Sequence, residues 1–192
     1  MSRPSRHRIG NLPLELTSFV GRRREVIEAK RLLSVTRLVT MTGTGGVGKT
    51  RLALRVATEV ARAFDDGVWI VDLSELKDGS SLVAAVSDII GLTVQPDADP
   101  EDRLAEYLAT WAVLLVLDCC EQLVATAAAL CTLILRRCPG VRILATSRQV
   151  LGLAGEAVFQ VPPLAVPDEH SSTLQGTSRY EAVRLPPWSG HP

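Results

Sequence analysis

The stretch "GTGGVGKT", residues 43–50, constrains this chain more than any other. It fits G-x-x-x-x-G-K-[ST] and sits between an apolar, β-branched run, "RLVTMT" (37–42), and an amphipathic one, "TRLALRVATEVARAF" (50–64). Glycine weakens strands and helices alike, so four glycines in six residues call for a ligand that needs the backbone close. Such a loop turns successive N–H groups inward at phosphate oxygens, and the helix that follows adds its positive end. The bare pattern arises by chance in roughly one chain in a hundred of this length at average composition, and the flanking strand and helix make chance rarer. A plain strand–helix turn is the alternative reading. The loop lysine adds weight, because the chain has only Lys30, Lys49 and Lys77 among its 21 basic residues. Lys49 is expected to neutralise β/γ-phosphate charge, and Thr50 to offer its hydroxyl to Mg²⁺.

The rest of the chain supplies the frame such a loop requires. Val26, Ala29, Leu32 and Leu33 recur at helical spacing over 24–33, ahead of the first strand. In 50–64, Leu52, Val56, Val60 and Ala63 share one helix face. Short strands are predicted over 68–73, 112–118, 141–147 and 157–161. Helices are predicted after Ser80 or Ser81, after Asp99 with Pro100 in the first turn, and over 121–137, the last apolar nearly all round. Strands alternating with helices predict a three-layer α/β fold with a parallel sheet. Its expected extent is 14–161, between a loose basic arm (1–13) and a Pro/Ser-rich tail (162–192).

Three further stretches carry chemistry. "AVLLVLD" ends in Asp118, at the carboxyl end of a buried strand where open α/β sheets bind ligands. Asp118 can hold Mg²⁺ through water, or simply cap the next helix. Glu121, three residues on, is either a base for an attacking water or a helix-start carboxylate; the second reading is the plainer one. "LATSR" brings Arg148 to a strand end. If that strand neighbours the one before the glycine loop, Arg148 points at the γ-phosphate and distinguishes tri- from diphosphate; otherwise it is a solvated arginine. "SFVGRRREV" (18–26) lies where a nucleotide base would rest, with Val20 and Gly21 offering backbone contacts. Alone, its arginines pass for a solvated helix start or a nucleic-acid contact.

Together "SFVGRRRE", "GTGGVGKT", "LLVLDCCEQL", "ILATSR" and "VPPLAVP" resemble, in order and spacing, the NB-ARC-like signal-transduction ATPases. The likeness is greatest to the ATPase module of large actinobacterial LuxR- and SARP-type transcriptional regulators, and covers about residues 11–168. The resemblance implies a P-loop NTPase with a five-stranded parallel sheet that binds ATP or ADP as a switch. It implies an adenine side at Val20, Gly21 and Arg22, and a phosphate cradle of Gly43, Thr44, Gly45, Gly46, Val47, Gly48, Lys49 and Thr50. Asp118 becomes the acid that serves the metal, and Arg148 the sensor.

Two departures from the family pattern bear on activity. Thr44 stands where the family commonly has proline, and Cys119 where it commonly has asparagine. A thiol cannot make an amide's hydrogen bonds, so hydrolysis is expected to be slow at most. The family runs on from "EAVRL" into further domains, whereas here "PPWSGHP" follows, so the chain is expected to be a fragment of such a regulator. The rival from another class is a stand-alone NTPase acting on a small substrate, for which no substrate-binding insertion is evident.

Composition narrows the partners. Basic and acidic residues balance at 21 each, and no helix-turn-helix signature is visible, so no direct DNA binding is expected. A protein partner, or an oligomer through the ATPase domain, is compatible with the pattern. No apolar run reaches the ~20 residues of a membrane span, and the basic start is not followed by a signal-peptide core. Cys119, Cys120, Cys131 and Cys138 match no metal spacing and are expected as reduced thiols of a cytoplasmic protein.

Overall fold

A computed structural model describes residues 10–13, 21–76, 78–79, 82–93 and 99–163. The helix cap expected at Ser80 or Ser81, Val20, and the tail from 164 onward lie outside the described residues.

The β-branched and aliphatic runs form five strands: β1 (Leu38–Thr42), β2 (Val68–Asp72), β3 (Val113–Asp118), β4 (Val141–Ser147) and β5 (Glu156–Gln160). They make one sheet in the order β2-β3-β4-β1-β5, every pair parallel. Helices α1 (Arg23–Val35) and α2 (Lys49–Val60) cover one face; α3 (Leu82–Ile90), α4 (Pro100–Leu108) and α5 (Val124–Arg137) cover the other. Side chains alternate along each strand, so each face has its own core. Val39, Met41, Val116 and Leu144 meet Val26, Ala29, Leu52 and Val56 on one side. Leu115, Leu117, Ile143 and Ala145 meet Leu82, Leu104, Leu108 and Ile134 on the other.

The helix starts follow their chemistry. Asp99 caps α4, its carboxylate accepting from the N–H groups of Glu101 at 2.8 Å and Asp102 at 3.3 Å, with Pro100 in the first turn. At the other polarity, Arg142 donates to the Thr36 carbonyl at 2.8 Å and to that of Leu33, satisfying acceptors left open where α1 ends.

Four expectations need correction. The helix predicted over 121–137 is a 3₁₀ turn (Cys120–Gln122) followed by α5, because Leu123 between them leaves the helical conformation (φ −131°, ψ 38°). That helix is not buried all round either: Ala127, Leu130, Cys131 and Ile134 face the core, and Ala125, Ala129, Arg136 and Arg137 face solvent. The helix predicted to Phe64 stops at Val60 and tightens into a 3₁₀ turn over Ala61–Ala63. The arm expected to be loose over 1–13 is pinned where it is described. Asn11 lies along edge strand β2, its side-chain amide donating to the Ile70 carbonyl at 2.9 Å and accepting from the Ile70 N–H at 2.7 Å. Gly10 bridges to Val68, whose carbonyl oxygen would lie 1.8 Å from any Cβ placed there.

Candidate functional site

Every strand points its carboxyl end the same way, so the loops after β1, β3 and β4 open onto one cleft. Its volume is about 410 Å³, and its walls include Gly45, Gly46, Gly48, Lys49, Thr50, Cys119, Glu121, Thr146 and Arg148. A neighbouring hollow, lined in part by Gly43, Thr44 and Gln160, shares Gly45 and Arg148 with it.

The glycine loop earns its composition at specific positions. Gly46 and Gly48 have φ of 74° and 90°, where a side chain is strained. A Cβ on Gly43 would come within 3.1 Å of the Val47 side chain and 3.2 Å of the Val161 carbonyl. Gly45 has no such backbone demand; a Cβ there would reach 3.5 Å from the Arg148 guanidinium, across the cleft. That glycine keeps room rather than conformation.

Lys49 opens α2 and is 9% exposed, its ammonium donating to the loop carbonyls of Gly43 (2.9 Å) and Thr44 (3.1 Å). The Thr50 hydroxyl donates to Asp118 Oδ1 at 2.9 Å, which joins the loop to the end of β3. Asp118 is itself buried. Arg148 reaches Glu121 Oε1 at 3.3 Å, while Glu121 Oε2 is buried and accepts no hydrogen bond among the described residues. Lys49, Thr50, Asp118, Glu121 and Arg148 therefore converge, as expected for strand β4 lying beside β1.

Arg22, expected at the adenine side, braces the end of the glycine loop. Its guanidinium is buried and donates to the Val47 carbonyl at 2.7 Å and the Pro162 carbonyl at 3.1 Å. Gly21 precedes it with φ 78°.

Two residues were missed by sequence reasoning. Thr146 is fully buried; its hydroxyl donates to Asp118 Oδ1 and accepts from the Cys119 N–H at 3.0 Å. One hydroxyl thus holds both the carboxylate and the left-handed turn after it. Asp72 is Asp118's register partner across β2 and β3, and its carboxylate lies within 4.8 Å of Asp118 and the Cys119 sulfur. The signal for Asp72 was available: "VWIVD" and "LLVLD" both end in aspartate. Burial first, then Asp118, Glu121 and Asp72, push the Cys119 thiol up to about 11. All four cysteines are free thiols; burial also raises Cys120 and pushes Cys131 up to about 12.

A parallel five-stranded sheet with a glycine loop between β1 and α2 defines an α/β P-loop NTPase fold. Solved structures share that fold. Cdc6p from Pyrobaculum aerophilum matches 77% of this chain and 48% of its own length, at TM-score 0.56 and 14% identity. A Signal Transduction ATPase with Numerous Domains (STAND) protein with a tetratricopeptide repeat sensor from Pyrococcus horikoshii matches at TM-score 0.55 and 17% identity, over 77% of this chain and 24% of its own. The NB-ARC domain model matches residues 24–160, and the chain belongs to that family. It is 44% identical over 154 residues to the uncharacterized protein Rv0894 of Mycobacterium tuberculosis, covering 80% of this chain and 39% of that one. It is 41% identical over 140 residues to "Putative HTH-type transcriptional regulator Rv0890c" of the same organism, covering 73% of this chain and 16% of the regulator. The chain thus spans about two fifths and one sixth of the lengths of these relatives.

Proposed function

We propose that this NB-ARC domain binds Mg·ATP and Mg·ADP and acts as the nucleotide-dependent switch of a signal-transduction ATPase linked to transcriptional regulation. One observation carries the reading: Thr50 and Asp118, far apart in sequence, share a hydrogen bond of 2.9 Å beside Lys49 at the mouth of a glycine cradle. A hydroxyl and a carboxylate are hard oxygen donors of the kind Mg²⁺ takes alongside phosphate oxygens. In this reading Thr50 and Asp118 would hold the ion, which when bound would neutralise phosphate charge. Lys49 exchanges its loop carbonyls for phosphate oxygens, and Arg148 leaves Glu121 when a γ-phosphate offers a better partner. Likeness to the mycobacterial regulator supports a signalling role. Because the match covers 16% of that protein, the proposal concerns nucleotide-dependent signalling and not DNA contact.

Lys49→Ala tests it. Removing a charge-assisted phosphate contact should weaken Mg·ATP and Mg·ADP binding by about 1.5–3 kcal/mol, roughly ten- to hundredfold. Calorimetry on wild type and a variant with native circular dichroism makes the comparison. Equal affinities would overturn the assignment of the loop.

A further inference from the structure

We infer that Arg22 is a positioning residue: by holding the Val47 carbonyl it aims the Gly48 N–H into the cleft, and by holding the Pro162 carbonyl it ties that loop to the chain leaving β5. One nitrogen makes both bonds, Arg22 Nη2 donating at 2.7 Å to Val47 and 3.1 Å to Pro162. An Nη2 group has two hydrogens, so two carbonyls from distant parts of the chain share one rigid, planar group.

The effect on the loop follows from peptide geometry. No peptide bond among the described residues is cis, so the Val47 carbonyl and the Gly48 N–H point in opposite directions from one plane. Fixing the carbonyl on Arg22 fixes the N–H away from it. Gly48 lines the cleft, and a Cβ on it would sit 3.9 Å from the Arg22 guanidinium carbon, so Gly48 adjoins both Arg22 and the open space. Arg22 thereby presets a donor where a phosphate oxygen would be received.

The tie to β5 has independent support at the other end of the loop. The Val161 N–H donates to the Thr42 carbonyl at 2.8 Å, and the Val161 carbonyl would lie 3.2 Å from a Cβ on Gly43. Residues 161 and 162 therefore touch both the start of the loop and, through Arg22, its end. Arg22 is also held hard from behind. It is 5% exposed, takes a left-handed conformation (φ 57°) uncommon for a side-chain-bearing residue, and its own carbonyl accepts the first turn of α1 through the Val26 N–H at 3.0 Å. A lysine in its place would bring a point charge without the fork.

The part of this inference that aims the Gly48 N–H at a phosphate rests on the proposed nucleotide binding; the tie itself does not. The test uses the whole chain with Arg22→Gln and Arg22→Lys, following exchange of the Gly48 and Val161 amides by NMR with and without Mg·ADP, and Mg·ADP affinity by calorimetry. Without nucleotide, the Val161 amide, bonded to the Thr42 carbonyl, should exchange at least tenfold faster in Arg22→Gln, and less so in Arg22→Lys. Mg·ADP affinity should fall tenfold or more. Added Mg·ADP should protect both amides in wild type but only Gly48 in the variants. If Arg22→Gln does not fold, Arg22→Lys carries the same comparison. Faster exchange at Val161 with unchanged Mg·ADP affinity would reduce Arg22 to a structural residue and overturn the inference, as would unchanged exchange at Val161. Failure of wild type to bind Mg·ADP would instead overturn the proposed function, leaving the nucleotide-free exchange to decide the tie.

Discussion

Arg148 and Glu121 meet at 3.3 Å with side-chain exposures of 68% and 21%. An ion pair that open to water contributes at most about 1 kcal/mol, so it is easily exchanged for a phosphate partner. In the proposed switch, Arg148 should matter for the γ-phosphate and little for the diphosphate. Arg148→Ala should therefore raise the Mg·ATP dissociation constant about tenfold, on the order of 1.4 kcal/mol, and leave Mg·ADP within about twofold. Competition calorimetry reads the ratio directly. An equal loss for both nucleotides would make Arg148 a general electrostatic contributor rather than a sensor. Asp118 contrasts with it, because Thr146 and Thr50 hold its carboxylate in place before any ligand arrives.

At the scale of elements, the short connection from β4 to β5 is closed by Glu156, the first residue of β5. Its carboxylate accepts from the N–H groups of Leu151, Gly152 and Leu153 at 2.8–3.1 Å. Burial opposes its ionisation, but the N–H donors of Leu151, Leu153 and Gly152 help hold its pKa below the ordinary 4.5. A carboxyl whose folded pKa lies below its unfolded one stabilises the fold above the unfolded pKa, and that contribution disappears as pH falls through the folded value. Glu156→Gln should thus cost about 1–2 kcal/mol at pH 7, as hydrogen bonds to a charged acceptor become neutral ones. Its urea midpoint should converge on wild type as the pH drops below about 4.5. A gap that persists undiminished at pH 3 would show that shape, not charge, is what Glu156 supplies.

The whole molecule answers to the same ligand. Anything that binds the folded state alone stabilises it by mass action, about 2.7 kcal/mol at a hundred times the dissociation constant. For a fold of this size that corresponds to roughly 5–11 °C in Tm. Mg·ADP should raise the melting temperature of wild type by this amount and that of Lys49→Ala by about half as much or less at the same concentration. A comparable rise in both would point to binding elsewhere.

At this scale the limits of the linear sequence are also clearest. The order of strands and helices was legible, because aliphatic runs, Asp99 with Pro100, and the glycine loop each act over a few neighbouring residues. The loop itself was legible for the same reason: Gly43–Thr50 is one continuous segment whose shape is set mostly by its own glycines. Even Arg148 was within reach, conditional on β4 lying beside β1. What no local pattern could supply was the partner of each side chain across the sheet. Thr146 touches Asp118, and Asp72 stands opposite it, only because of the strand order β2-β3-β4-β1-β5 and its register. Arg22 was read for its neighbours in sequence, but a long side chain acts where its tip arrives, and that tip reaches Val47 and Pro162. The sequence by itself determined a glycine loop between strand and helix on an α/β frame. Tertiary structure alone decided which hydroxyl steadies its acid and which arginine braces its backbone, because those contacts form only after distant segments have packed.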